Sequence, residues 1–112
     1  MKILEKEVKQ SDLKNAEFLL NEEMVKAVVD VDKELLGIDA EMHADLEQLF
    51  LKNGSSQDSL WGINLWLNED GDDFIEFDSM INIRPRQGNR SRDVENPEIR
   101  EKIKSVVKKW IK

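Results

Sequence analysis

Two stretches of alternating hydrophobicity, Leu60 to Leu67 and Phe74 to Arg84, are separated only by the turn-forming run Asn68-Glu69-Asp70-Gly71-Asp72-Asp73. Successive side chains on a strand point to opposite faces, so this spacing predicts an antiparallel pair whose register is fixed by which face is apolar. Trp61, Ile63, Leu65 and Leu67 fall on one face with Ile75, Phe77, Ser79 and Ile81, and that face is expected to be core. The other face carries Asn64, Trp66, Glu76, Asp78, Met80, Asn82 and Arg84, and the pairing places Asn64 near Asp78. Such a polar surface is more specific than contact with water requires.

The rest of the chain supplies partners for this pair. Ile3 to Val8 reads as a short strand, and Ser11 or Asp12 as the N-cap of a helix to about Glu23, with Leu13, Ala16, Leu19 and Leu20 on one side. Val25 to Val31 is rich in β-branched residues, Asp32-Lys33 forms a turn, and Glu34 to Ile38 pairs back, with Gly37 as a bulge. Glu41 to Lys52 fits two templates. Met42, Ala44 and Leu46 alternate as in a strand, while Met42, Leu46, Leu49 and Phe50 recur at helical spacing. A strand is favoured, because Asn53-Gly54 is a hairpin signal and Leu60 to Leu67 could return beside it. Asn96-Pro97 opens a C-terminal helix with Ile99, Ile103, Val106, Val107 and Trp110 on one side and Lys108, Lys109 and Lys112 at its end. The expected class is α+β. It consists of a largely antiparallel meander of about five strands, with an N-terminal and a C-terminal helix packed on one face, in a single domain spanning residues 1–112.

Composition narrows the chemistry. The absence of cysteine excludes disulfides, thiolate ligands and a cysteine nucleophile, and fits a reducing, cytoplasmic location. Charges interrupt Met1-Lys2-Ile3-Leu4-Glu5-Lys6-Glu7 too early for a signal-peptide core, and no run approaches the roughly 18 apolar residues of a membrane span, so no membrane partner is expected. The net charge of −7 disfavours nucleic acid, but its distribution is uneven. Residues 1–78 hold 7 Lys/Arg against 20 Asp/Glu, and residues 79–112 hold 10 against 4.

The basic end is concentrated in Arg84-Pro85-Arg86-Gln87-Gly88-Asn89-Arg90-Ser91-Arg92, which contains four of the five arginines. Guanidinium groups are forked donors suited to phosphate or carboxylate, and Gly88 and Asn89 tolerate the positive φ of an anion-cradling loop. The leading expectation is a small non-catalytic binding module. It takes a phosphate-bearing small molecule through Asn64, Asp78, Asn82, Arg84, Arg86, Arg90, Ser91 and Arg92, with no metal and no cofactor. One alternative is a phosphate-ester hydrolase or nuclease in which these arginines stabilise charge and His43 or Asp78 handles protons. Another is a structural homodimer in which the arginines pair with carboxylates of a second copy, with Trp66 or Trp110 at the contact.

Other motifs read more plainly. His43, Asp45 and Glu47 could offer one ion two ligands at most in either conformation, so a hydrogen-bonded or solvated histidine is expected. With Gly71 in the glycine position of an EF-hand loop, Trp66 stands where the first oxygen ligand is needed, which leaves Asn68 to Asp73 a solvated turn. Trp66 itself could stack a base, although a buried or subunit-contact tryptophan is commoner. Ser79 and Ser91 lie in no Gly-x-Ser-x-Gly elbow.

Met42-His43-Ala44-Asp45, Leu60-Trp61-Gly62-Ile63-Asn64-Leu65, Glu76-Phe77-Asp78-Ser79-Met80-Ile81-Asn82-Ile83-Arg84-Pro85 and Gln87-Gly88-Asn89-Arg90-Ser91 together resemble a family of small archaeal and bacterial proteins, a domain of unknown function. The resemblance covers the chain from Met24 onward, with Trp66 in place of an expected tyrosine. It implies a prokaryotic origin and a stand-alone domain, and lends no residue a role.

Overall fold

The computed structural model describes residues 1–112. Its seven main elements are β1 (Lys2–Ile3), β2 (Met24–Asp30), β3 (Leu35–Ile38), α1 (His43–Lys52), β4 (Leu60–Trp66), β5 (Ile75–Glu76) and α2 (Pro97–Trp110). Five antiparallel strands form one sheet in the order β1-β3-β2-β4-β5, giving the expected α+β class. Neighbours are not always consecutive in sequence, because β4 pairs along its whole length with β2, from Met24↔Trp66 to Asp30↔Leu60.

The β2–β3 hairpin forms where β-branched sequence predicts it. Its connection is held by the buried Asp30 carboxylate, which accepts the Asp32 and Lys33 amides, both at 3.0 Å, and the Ser55 hydroxyl at 2.7 Å. Asn96 caps α2 as expected, accepting the Glu98 amide at 2.8 Å ahead of Pro97. Ile103, Val106 and Val107 then close one sheet face over Val25, Ala27, Val29, Leu36, Ile38, Trp61, Ile63 and Leu65. Leu13 from the N-terminal segment joins the same core.

That N-terminal segment is a 3-10 helix over Gln10–Asn15 rather than a helix to Glu23, and its N-cap is Lys9. The chain leaves it at Ala16 (ψ 146°), Asp39 captures the Glu17 and Phe18 amides at 2.9 and 2.8 Å, and Asn21 and Glu22 turn with φ of 53° and 62°. Backbone donors needed for further helical turns are thus claimed by a distant carboxylate. The N-terminal strand is also shorter than expected, since only Lys2–Ile3 pairs with β3 and Val8 makes an isolated bridge to Ile111.

Residues 43–52 form α1, not a strand, and this packs the second sheet face. Leu46 and Phe50 meet Val28, Ala40 and Leu60 there, so the helical spacing prevails over the alternation. Gly37 explains why. It pairs regularly with Val28 and Ile3 without a bulge, and a Cβ at this position would lie 2.8 Å from the Phe50 ring and 3.0 Å from Leu46. Val28 is flanked across the sheet by Gly37 and Gly62, so a row lacking two side chains lets covering elements sit close to the backbone. Asn53-Gly54 consequently ends a helix, with Gly54 at φ 93°, instead of joining two strands. No helix is long and apolar enough to cross a membrane.

The run from Phe74 to Arg84 pairs as a strand only at Ile75–Glu76, opposite Leu65 and Asn64. Beyond Glu76 it lifts into 3-10 turns at Met80–Asn82 and Pro85–Gln87. Ile75 and Phe77 pack against the α2-covered core as expected, but Ile81 packs with the α1 cluster, and Ser79 is buried where a Gly62 Cβ would come within 2.5 Å of its hydroxyl.

Candidate functional site

Where β5 stops, the outer edge of β4 still presents backbone groups that need partners. Asn82, fully buried, supplies them with its side-chain amide: its Oδ1 accepts the Gly62 N–H at 2.8 Å and its Nδ2 donates to the Gly62 carbonyl at 2.9 Å. A primary amide carries the same donor and acceptor as a peptide unit, so one side chain replaces a strand residue. Its Nδ2 also donates to the Arg92 carbonyl at 2.9 Å, tying the arginine-rich loop to the sheet.

Arg84 continues the edge. Its two Nη groups donate to the Gln57 and Leu60 carbonyls, and its guanidinium carbon stacks 4.1 Å from the centre of the Trp61 ring. Burial pulls its pKa below the usual arginine range, against the charges of Glu47 and Asp58. Asn82 and Arg84, both expected among ligand-binding residues, are therefore engaged in holding the sheet edge.

The loop that follows is organised by Asn89. This buried residue donates to the carbonyls of Asn82, Ser91 and Asp93 at 2.7, 3.1 and 2.7 Å, and accepts the Glu95 amide at 2.8 Å. Gly88 makes the preceding reversal at φ 79°. The amides of Arg90 and Ser91 and the Ser91 hydroxyl then converge at 2.8, 2.9 and 2.8 Å on one oxygen, Glu95 Oε2. The Ser91 hydroxyl and the Arg90 amide, in that order, hold the Glu95 pKa below its ordinary value of 4.5. Arg86 and Arg90 are exposed and make no ion pair.

Arg92 turns towards the sheet, where its Nε donates to Asp78 at 2.5 Å. This pair stands between two openings. On one side is a groove of about 540 Å³ over the second sheet face, floored by Lys26, Asn64 and Glu76 and bordered by His43, Asp78 and Arg92. Leu20, Met42 and Met80, exposed by 50%, 59% and 64%, line the same groove. On the other side is an open cleft of about 690 Å³ reaching Ser91, Asp93 and Arg100. Trp66, half-buried, borders both.

Register explains part of this assembly. Asn64 lies opposite Glu76 on β5 and Lys26 on β2, and its Nδ2 donates to the Glu76 carboxylate at 2.8 Å and to the Asp78 carbonyl at 3.4 Å. Asn64 is 5% exposed, and its Oδ1 is sealed from water without a hydrogen-bond partner. The pairing expected between Asn64 and Asp78 thus puts both, with Arg92 and Met80, at one groove, whereas Arg86 and Arg90 lie away from it. His43 and Lys26 enter from α1 and β2, which the alternating pattern of β4 and β5 alone cannot reveal. Lys26, a lone charge in the apolar run Met24 to Val29, is the signal that marks this face.

His43 Nε2 lies 2.8 Å from the Ile63 carbonyl, so that nitrogen carries the proton and Nδ1 is the free acceptor. Burial lowers the His43 pKa from 6.5, with the Ile63 carbonyl opposing and Lys26 and Arg92 adding to the shift, which leaves the ring neutral at pH 7. Nowhere do three His, Asp or Glu side chains converge as a metal-binding group.

A family model described as Protein of unknown function (DUF5674) matches residues 2–110. No curated protein and no solved structure matches the chain. The match takes in every strand, both helices and the whole loop from Arg84 to Arg92, and the chain belongs to the DUF5674 family.

Proposed function

We propose that this protein is a small non-catalytic binding module whose groove takes a phosphate-bearing small molecule with a hydrogen-bond donor on its body. The observation that carries this reading is that one groove is lined both by Asn64, whose buried Oδ1 lacks a partner, and by a partly committed cation, Arg92. An unmet buried acceptor costs about 1–3 kcal/mol, which a donor on the ligand would recover. Met42 and Met80 border the groove, and their flexible side chains can move aside to admit one. Arg92 spends only Nε on Asp78, so both Nη groups are free for an anion.

Calorimetric titration with a nucleoside 5′-monophosphate at fixed ionic strength tests it. Arg92→Ala is expected to weaken binding by about tenfold or more, and Asn64→Ala to weaken it further while leaving the salt dependence in place. Equal affinities in wild type and Arg92→Ala would overturn the reading.

A second reading, phosphate-ester hydrolysis, is favoured by one observation: neutral His43 borders the same groove as Asp78 and Arg92, with Nδ1 free to accept a proton. It requires turnover of a phosphomonoester that His43→Gln abolishes without loss of binding. Binding without turnover leaves the non-catalytic reading.

A further inference from the structure

The arginine-rich loop already holds an anion, and that anion is its own. The Arg90 and Ser91 amides and the Ser91 hydroxyl all point at a single oxygen of the exposed Glu95 carboxylate, which makes no ion pair within 4.0 Å. Convergent backbone donors of this kind bind a phosphate oxygen as readily as a carboxylate oxygen. Glu95 reaches them by side chain alone, because its own amide is fixed to Asn89 Oδ1 at 2.8 Å. Side-chain rotation would vacate the nest without moving the backbone. Ser91 also lines the cleft that shares Trp66, Glu76, Asp78 and Arg92 with the groove, so a ligand seated there lies beside the nest.

We infer that this nest is an oxyanion site in which Glu95 is a displaceable internal ligand, competing with the phosphate group of a bound molecule. The inference rests on the phosphate reading above and adds a selection rule. A carboxylate tethered four or five residues from its donors competes at an effective concentration on the order of millimolar. Free inorganic phosphate, with no other contact, does not displace it. A phosphate carried by a molecule that also fills the groove does, and exposed Arg90 then has an anion beside it.

The test compares wild type, Glu95→Ala and Glu95→Gln for binding of inorganic phosphate and of a nucleoside 5′-monophosphate, by calorimetry at fixed ionic strength. Both variants are expected to bind inorganic phosphate about tenfold or more tightly than wild type. Because Glu95→Ala empties a nest that orders the loop, its melting temperature is also followed with added phosphate or acetate. Either oxyanion is expected to raise it well beyond the effect of chloride. Phosphate affinity and oxyanion response in both variants no greater than in wild type would overturn the inference. If wild type binds the nucleotide through Arg92 but the variants gain nothing for phosphate, the nest fails and the groove stands. If the variants gain phosphate binding but no form binds the nucleotide, the groove reading fails and the nest stands.

Discussion

The two faces of this sheet are built from the same strands and put to opposite uses. Towards α2, every second residue of β2 and β4 is apolar, from Val25, Ala27 and Val29 to Trp61, Ile63 and Leu65, and the 17-residue cluster there is closed by Ile103, Val106 and Val107. Towards α1, the same strands present Lys26, Val28, Gly62 and Asn64, and the buried cluster has only 5 residues, leaving part of the face uncovered as the groove. One face is made by filling space. The other is made by withholding side chains, at Gly37 and Gly62, and by leaving a polar acceptor unmatched. Buried apolar packing is therefore concentrated on the first face, and uncovered polar side chains on the second.

The comparison breaks most visibly at the closed face. Ile103→Ala removes a fully buried side chain of α2 and is expected to cost about 2–5 kcal/mol by urea denaturation. A cost close to that of a surface substitution would mean that α2 does not seal the core as described.

Next in size is Asn82→Ala, which strands the Gly62 N–H, the Gly62 carbonyl and the Arg92 carbonyl and is expected to cost about 2–4 kcal/mol. Hydrogen exchange at the Gly62 amide should accelerate alongside. Asn82→Asp sharpens this, since it keeps the acceptor for Gly62 N–H but sets a carboxylate oxygen against the Gly62 carbonyl, and a fully stable Asn82→Asp protein would refute the surrogate-strand role.

A smaller effect is expected from pH. His43 is the only histidine and its pKa is lowered on folding by burial, so the folded state disfavours the proton that the unfolded chain accepts. Its contribution is fully present above about pH 6.5 and is lost as the pH falls from there towards the lower folded value. A melting-temperature step in that window that disappears in His43→Gln confirms this, and a step unchanged in the variant assigns it elsewhere. Glu95 acts in the same direction at more acid pH: its lowered pKa gives stability that is present above its ordinary value and lost as the pH falls through the folded one.

The smallest effect belongs to the groove rim. Met80→Ala, at a side chain 64% exposed, should change stability by less than about 0.5 kcal/mol, while altering ligand affinity if the groove is the binding surface. A destabilisation comparable with Ile103→Ala would show that the second face is closed.

The hairpin, β4 and α2 could be read from sequence because each announces itself locally. β-branched runs, strict alternation and an Asn-Pro start need no distant partner to be recognised. Residues 41–52 could not, because Met42, Ala44 and Leu46 satisfy a strand pattern while Met42, Leu46, Leu49 and Phe50 satisfy a helix, and the decision rests with Gly37, where a helix's Phe50 and Leu46 occupy the vacated space. The polar strand face was legible as far as Asp78 and Met80, which meet Asn64 and Trp66 at the groove. It failed at Asn82 and Arg84, whose side chains perform backbone duties that no alternation encodes. The anion-cradling character of the loop rests on local chemistry, Gly88, Asn89 and Ser91, whereas its occupation by Glu95 depends on how the chain turns into α2.

Asn82 also bears on whether this edge of the sheet can accept a further strand. An unpaired strand edge is a template on which a foreign chain can add, and β5 shields only two residues of β4. With the Asn82 amide seated on Gly62 and the Arg84 guanidinium on Leu60, the remaining edge offers an incoming strand no free hydrogen-bonding register. An invading chain must first expel two side chains, so the same residues that complete the sheet also close this stretch of the β4 edge to strand addition.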